Sequence, residues 1–175
     1  MKLQTRQIVI SGLLVAIALV MGATGVGFIP VPTPAGAATT MHLPVILAGI
    51  LEGPYVGSLV GLIFGLFTLQ FMPDPLVVIV PRLFIGVTAY LVYRATKKNL
   101  GLAAGLAALV GTLTNTVGVL GMAYLRGYYP LKAILTMAIA VIPEALFAIV
   151  ITVPLMLILY RVVGLDKQEK SLIRS

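Results

Sequence analysis

Long apolar stretches recur along almost the whole chain, separated by short segments where Pro, Gly and charged residues gather. A helix needs about 20 apolar residues to cross the hydrocarbon core of a bilayer. On that measure the pattern predicts six helices, at about residues 7–27, 41–51, 55–71, 76–93, 102–125 and 131–163. The intervening pieces are turn-like. FIPVPTPAGAATT at residues 28–40 is too rich in Pro and Gly to be helix. EGP at 52–54 separates the second helix from the third, MPDP at 72–75 is a tight turn, RATKKNLG is a basic loop, and RGYYP turns the chain into the sixth helix. The tail DKQEKSLIRS is polar and is expected to fray. The expected architecture is an all-α six-helix transmembrane bundle, a single integral membrane domain over 1–175, with a long outer loop between helices 1 and 2.

The second helix is anomalous. Eleven residues reach only about 16 Å. Either it tilts in a thinned region, or the Pro-rich loop dips into the protein to meet it. Irregular backbone is tolerated at membrane depth only when it is buried in protein or lines a cavity. The second alternative therefore implies a cavity open to the outside.

Composition agrees with the spans. Of 175 residues, 60% are hydrophobic and 10% charged, with a mean hydropathy of +1.12, against roughly 25% charged in soluble domains. The apolar start is read as a first span, not a cleaved signal, because the rest of the chain is equally apolar. The absence of cysteine excludes disulfides and cysteine chemistry, and the absence of tryptophan leaves any aromatic belt to Tyr and Phe. A net charge of +7 would suggest nucleic acid on a soluble protein. Here the basic residues sit beside the spans and report topology. Lys2, Arg6, the Arg94–Lys98 loop and the C-terminal segment from Arg161 onward hold nine, while Arg126 and Lys132 stand alone on the other side. The positive-inside rule then places both termini in the cytoplasm, with residues 28–40 and the turns at Asp74 and Tyr128 outside.

Arg82, in IVPRLFIG, is the twelfth basic residue and belongs to neither side. A charge at membrane depth costs at least about 2.5–3.5 kcal/mol. Its forked guanidinium suits a carboxylate or phosphate, and Pro81 before it bends helices. Asn115 in GTLTNTVG, Glu144 in VIPEALF and His42 with Thr40 at the start of the second helix share the outer half or the midplane. The bland alternatives are an Arg82–Glu144 structural pair, Asn115 with Thr112, Thr114 and Thr116 as interhelical glue, His42 as a cap-region residue, and Asp74 as a turn former. No HExxH, GxSxG, Walker A loop or Cys/His cluster is present, so those enzyme classes are set aside and no cofactor is expected; an intramembrane enzyme using Glu144 stays open, although no partnered nucleophile is visible.

Small residues four apart let helices approach closely. Gly12 and Ala16, and Ala18 and Gly22, form such pairs in the first helix, either as internal packing or as a docking face. Gly57, Gly61 and Gly65 are assigned to tight packing of the third helix on the second.

ATTMHLPVILAGILEGPYVGSLVGLIFGLF, followed by VPRLFIGVTAYLVYR, resembles the substrate-binding S components of energy-coupling factor (ECF) vitamin transporters. The likeness covers nearly the whole chain, and TTMHLPVI looks most like the pantothenate type. The resemblance implies a subunit of a bacterial or archaeal cytoplasmic membrane that binds a vitamin from outside under a gate of outer loops. It also implies docking on a transmembrane coupling protein driven by two cytosolic ATPases, and toppling in the membrane to release cargo. It maps the docking motif to Gly12 and Ala16, the gate to Phe28, Pro32, Pro34 and Asp74, and the pocket to Arg82, Asn115, Glu144, His42 and Thr40. On this reading Arg82 takes the carboxylate of pantothenate, and Asn115 or Glu144 takes its hydroxyls. The sequence offers only Tyr as aromatic stacking surface near the outer rim, which favours a small flexible anion over a flat ring. The alternatives held open are another cargo (a hydroxymethylpyrimidine or thiamine precursor, or a folate) and a non-transport membrane structural protein.

Overall fold

The computed structural model describes residues 5–30 and 37–163. Among them the chain forms α1 (Thr5–Thr24), β1 (Phe28–Pro30), β2 (Ala37–Thr39), α2 (Leu43–Glu52), α3 (Pro54–Thr68), α4 (Pro75–Thr96), α5 (Leu100–Leu125), α6 (Leu131–Ala138) and α7 (Val141–Val163). α1, α4, α5 and the α6–α7 stretch are long and apolar enough to cross a membrane, and α2 and α3 are shorter apolar helices. The helix boundaries follow local chemistry. Asp74 caps α4 by accepting from the Leu76 N–H, with Pro75 at the first helical position. Asn99 caps α5 through the Leu102 N–H. Gly53, at φ +91°, makes the sharp corner between α2 and α3, and Pro54 opens α3.

The sixth predicted helix is not continuous. It breaks at Ile139–Ala140 into α6 and α7. Pro143 explains the break, because it has no N–H for the Ile139 carbonyl four residues back and its ring crowds that carbonyl. The turn tightens instead, with Ala140 N–H bonding to Met137 O and Ile142 N–H to Ile139 O.

α2 is the core of the bundle: every residue from Leu43 to Ile50 is buried. Met41, just before it, packs against Gly22 of α1, and at its other end the Glu52 carbonyl accepts from Gln7. The glycines of α3 pack mainly against α4, not α2 as the pattern suggested. A Cβ on Gly57 would lie 2.8 Å from Gly86 Cα and 2.9 Å from Gly49 Cα, while one on Gly61 would lie 2.1 Å from the Arg82 carbonyl oxygen. Gly65 faces Ile79. Glycines 49, 57 and 86 thus join three helices backbone to backbone.

β1 and β2 pair antiparallel, with Phe28 opposite Thr39. Three connections gather at one end of the bundle. The Phe28 ring meets Phe71 edge-on at 5.9 Å, and Asp74 reaches Arg126 and Tyr128 of the α5–α6 turn. The β hairpin does dip into the protein: Ala38 is fully buried, and the Thr39 N–H bonds to Glu144 of α7.

Candidate functional site

Arg82 is 8% exposed. Its Nη1 donates to the Val78 carbonyl oxygen one turn back, at 2.6 Å, and its Cζ stands 5.0 Å from the centre of the Phe64 ring. Nε is buried and has no protein partner. Close helix contacts fix its backbone. Gly61 lets α3 lie on the Arg82 carbonyl, and Gly118 lets α5 lie on Pro81, whose Cβ would be 2.6 Å from an added Cβ. Stacking on Phe64 offsets part of the desolvation, but no carboxylate of the described residues neutralises the charge.

Glu144 does not pair with Arg82. Its Oε1 accepts from the Thr39 backbone N–H and its Oε2 from the Thr116 hydroxyl, both at 2.7 Å. Arg82 and Glu144 instead face one cavity of about 120 Å³, with Asn115, Thr116, Thr39 and Met137 in its wall. The side-chain oxygen of Asn115 is buried and has no protein partner. A second cavity of about 190 Å³ adjoins the first across Arg82, Thr39 and Val119, and Phe28, Phe64, Phe71, Met41 and Met72 line it. Arg82 therefore stands between a polar compartment and an aromatic one. The aromatic surface comes from Phe28, Phe64 and Phe71; Tyr124, Tyr128 and Tyr129 line neither cavity, which corrects the expectation of Tyr alone.

The other predicted residues separate. His42 is completely buried and its Nε2 bonds to Thr112 Oγ1 at 2.9 Å. It lines neither cavity. Thr40 turns away too, bonding to the Gly27 carbonyl through N–H and hydroxyl, and its neighbour Thr39 faces both cavities in its place. The glue reading holds for the threonines and not for Asn115. Thr112 bonds to His42, Thr114 to Thr88 and Thr116 to Glu144. Among the residues expected to form a gate, Phe28 lines the aromatic cavity, while Pro32 and Pro34 lie outside the described residues.

Asp74 is more than a turn former. Its Oδ2 accepts from Arg126 Nε and from the Tyr128 hydroxyl, each at 2.9 Å, while Oδ1 caps α4. The Arg126 hydrogen bond, with those of Tyr128 and Leu76, holds the Asp74 carboxyl below its ordinary value, and the same contacts raise Arg126 and Tyr128. On α1, Gly12 and Ala16 are exposed, and nothing lies within 4 Å of a Cβ built on Gly12. Ala18 is buried and Gly22 faces Met41 and Phe67, so the second small-residue pair packs inside. No group of three potential metal ligands occurs among the described residues.

Thr39 left no signal in the sequence, because it acts through its backbone. Phe64 and Thr116 carry one, since each lies in a helix whose neighbours in sequence drew attention. Only the third dimension tells which turn faces Arg82.

This is a multi-pass membrane protein with two adjoining cavities near one end of the bundle, separated by a buried arginine. Residues 6–160 match the family described as "ECF transporter, substrate-specific component", and the chain belongs to that family. That family is one of substrate-specific transporter components. It is also similar to "Pantothenic acid transporter PanT" of Lactococcus lactis subsp. cremoris (strain MG1363), 33% identical over 112 residues. That match covers 50% of this chain and 56% of the relative, so it spans about half the length of the curated relative.

Proposed function

We propose that this chain is the substrate-binding subunit of an ATP-driven vitamin uptake transporter, and that its cargo is pantothenate. The observation that carries the reading is the Arg82 guanidinium, buried between two cavities with no carboxylate partner among the described residues and with Nε unused. A buried cation becomes favourable when an anion reaches it with good geometry. Pantothenate brings one carboxylate for Arg82, an amide and hydroxyls for the free oxygen of Asn115, and a branched apolar segment for the Phe28–Phe64–Phe71 compartment. The likeness to a pantothenic acid transporter supports the same cargo.

The basic residues at the two ends of the spans favour cytoplasmic termini, with the hairpin end facing outside. The hairpin, with Phe28, and the Asp74 turn then form the gate. Gly12 and Ala16, exposed on α1, fit close docking against a transmembrane coupling protein driven by two ATPases.

The test is mass spectrometry of small molecules that co-purify with the protein, followed by calorimetric titration of pantothenate into the wild-type and R82A chains. Pantothenate retained by the wild type and lost from R82A supports the reading. Binding that survives R82A removes the carboxylate role. One observation favours a second reading: three Phe rings beside Arg82 would also suit a flat cargo such as a hydroxymethylpyrimidine or a folate. Tight binding of one of these in the same titration, with pantothenate inert, would select it.

A further inference from the structure

We propose that Glu144 is a positioning residue that latches the β hairpin over the cavity, and that it does not itself grip the cargo. The proposal rests on the assignment of these cavities as the cargo site.

The hairpin has an unusual problem. β2 reaches the bundle interior, with Ala38 fully buried, yet among the described residues it pairs on one edge only, with β1. The N–H of Thr40 bonds back to Gly27, on the β1 side. The N–H of Thr39 alternates to the opposite edge. There, half-buried at the cavity wall, it calls for an acceptor, because a backbone amide taken out of water without a partner costs about 1–3 kcal/mol. Glu144 supplies one at 2.7 Å, taking the place of a third strand. Its other oxygen is held by Thr116 Oγ1 at the same distance. One carboxylate thereby joins three elements: β2, α5 and α7. Thr39 lines both cavities, so this bond fixes the hairpin edge that closes them.

The same geometry argues against Glu144 as a cargo ligand. Both of its oxygens are engaged by the chain's own donors, whereas Arg82 Nε and the Asn115 oxygen in the same site have no protein partner. An anion on Arg82 would also sit across one small cavity from this carboxylate. The division of labour is then clear: Arg82 and Asn115 receive cargo, and Glu144 holds the gate.

Charge is not essential for the latch. A glutamine at 144 would accept the Thr39 N–H through its oxygen and donate to Thr116 Oγ1 through its amide. Alanine would lose both bonds. The chain has no native cysteine, so A38C, at a fully buried hairpin position, gives a single reporter whose maleimide labelling measures hairpin opening.

In folded, ligand-free A38C protein in detergent, E144A is expected to speed labelling at least tenfold, T116V at least twofold, and E144Q less than twofold. Labelling of folded E144A at the parent rate, or of E144Q as fast as E144A, overturns the latch. If E144A does not fold, T116V labelling at the parent rate overturns it equally. With pantothenate as the probe, E144A should raise the dissociation rate in step with labelling, while E144Q binds like the parent. Loss of pantothenate from an E144Q chain whose hairpin stays protected would place Glu144 on the cargo and sink the positioning role. Failure of the parent itself to bind pantothenate would overturn the cargo assignment alone, since the labelling series contains no ligand.

Discussion

Gly49 of α2 and Gly86 of α4 touch through their backbones: a Cβ added to Gly49 would come within 2.2 Å of the Gly86 carbonyl oxygen. No side chain at this crossing could move aside, so a methyl group must push the helices apart. G49A and G86A are therefore expected to destabilise the protein by about 1–3 kcal/mol or more. Thermal unfolding in detergent reads this directly. G12A is the control, since its methyl meets nothing within 4 Å, and its melting temperature should hold or rise slightly, alanine being the better helix former.

Arg82 makes a prediction of opposite sign for the free and the loaded protein. R82A removes a buried cation that no carboxylate of the described residues compensates, so the ligand-free melting temperature should hold or rise. Pantothenate affinity should fall about 30-fold or more, and the ligand-induced thermal shift should vanish. R82K should rescue little, because an ammonium cannot reproduce the fork or its stacking on Phe64. A full thermal shift in R82A would refute the assignment.

The Asp74 clasp predicts an acid limit. Hydrogen bonds from Arg126 first, then Tyr128 and Leu76, depress the Asp74 carboxyl below its ordinary 3.8. A depressed carboxyl contributes stability that is fully present above its unfolded value and is lost as pH falls through the lower folded value. D74N should therefore lower the melting temperature at pH 7, and the gap to wild type should shrink as pH falls below about 4. Melting curves from pH 7 to pH 3 give the answer; a gap that is constant across the range would mean that the Asp74 charge does not hold the clasp.

Gly12 and Ala16 predict a separation of binding from transport. Both are exposed on α1, so G12W and A16W should leave pantothenate binding by the isolated subunit unchanged. Uptake by cells that also make the coupling protein and ATPases should stop. If either variant lost binding in detergent, that face would be packing within the bundle.

Much of the site was legible because membrane depth makes polar residues expensive. Arg82, Asn115 and Glu144 stand out in apolar runs, and all three meet at one cavity. Their roles were less legible. Arg82 and Glu144 looked like candidates for one ion pair, and Glu144 instead spends both oxygens on Thr39 and Thr116. The Thr39 contact is a backbone amide, for which no side chain gives warning. His42, the single histidine, drew attention by rarity alone and turned out to be a buried partner of Thr112. In the fold, spacing alone located the small residues of α3 but could not name their partner, because Gly86 of α4 lies within an unbroken apolar run. Pro143 was visible, yet hydropathy on both sides concealed the break it makes in the sixth span.

The burial of α2 bears on how such a chain enters the bilayer at all. Ten residues long, with every position from Leu43 to Ile50 covered by protein, it has no side that could rest against lipid and too little length to be threaded through a translocon as an independent segment. Its neighbours α4 and α5 are synthesised after it. The centre of the bundle must therefore wait, only partly sheltered by α1 and α3, until the second half of the chain arrives, and membrane insertion and tertiary assembly become a single event for this protein.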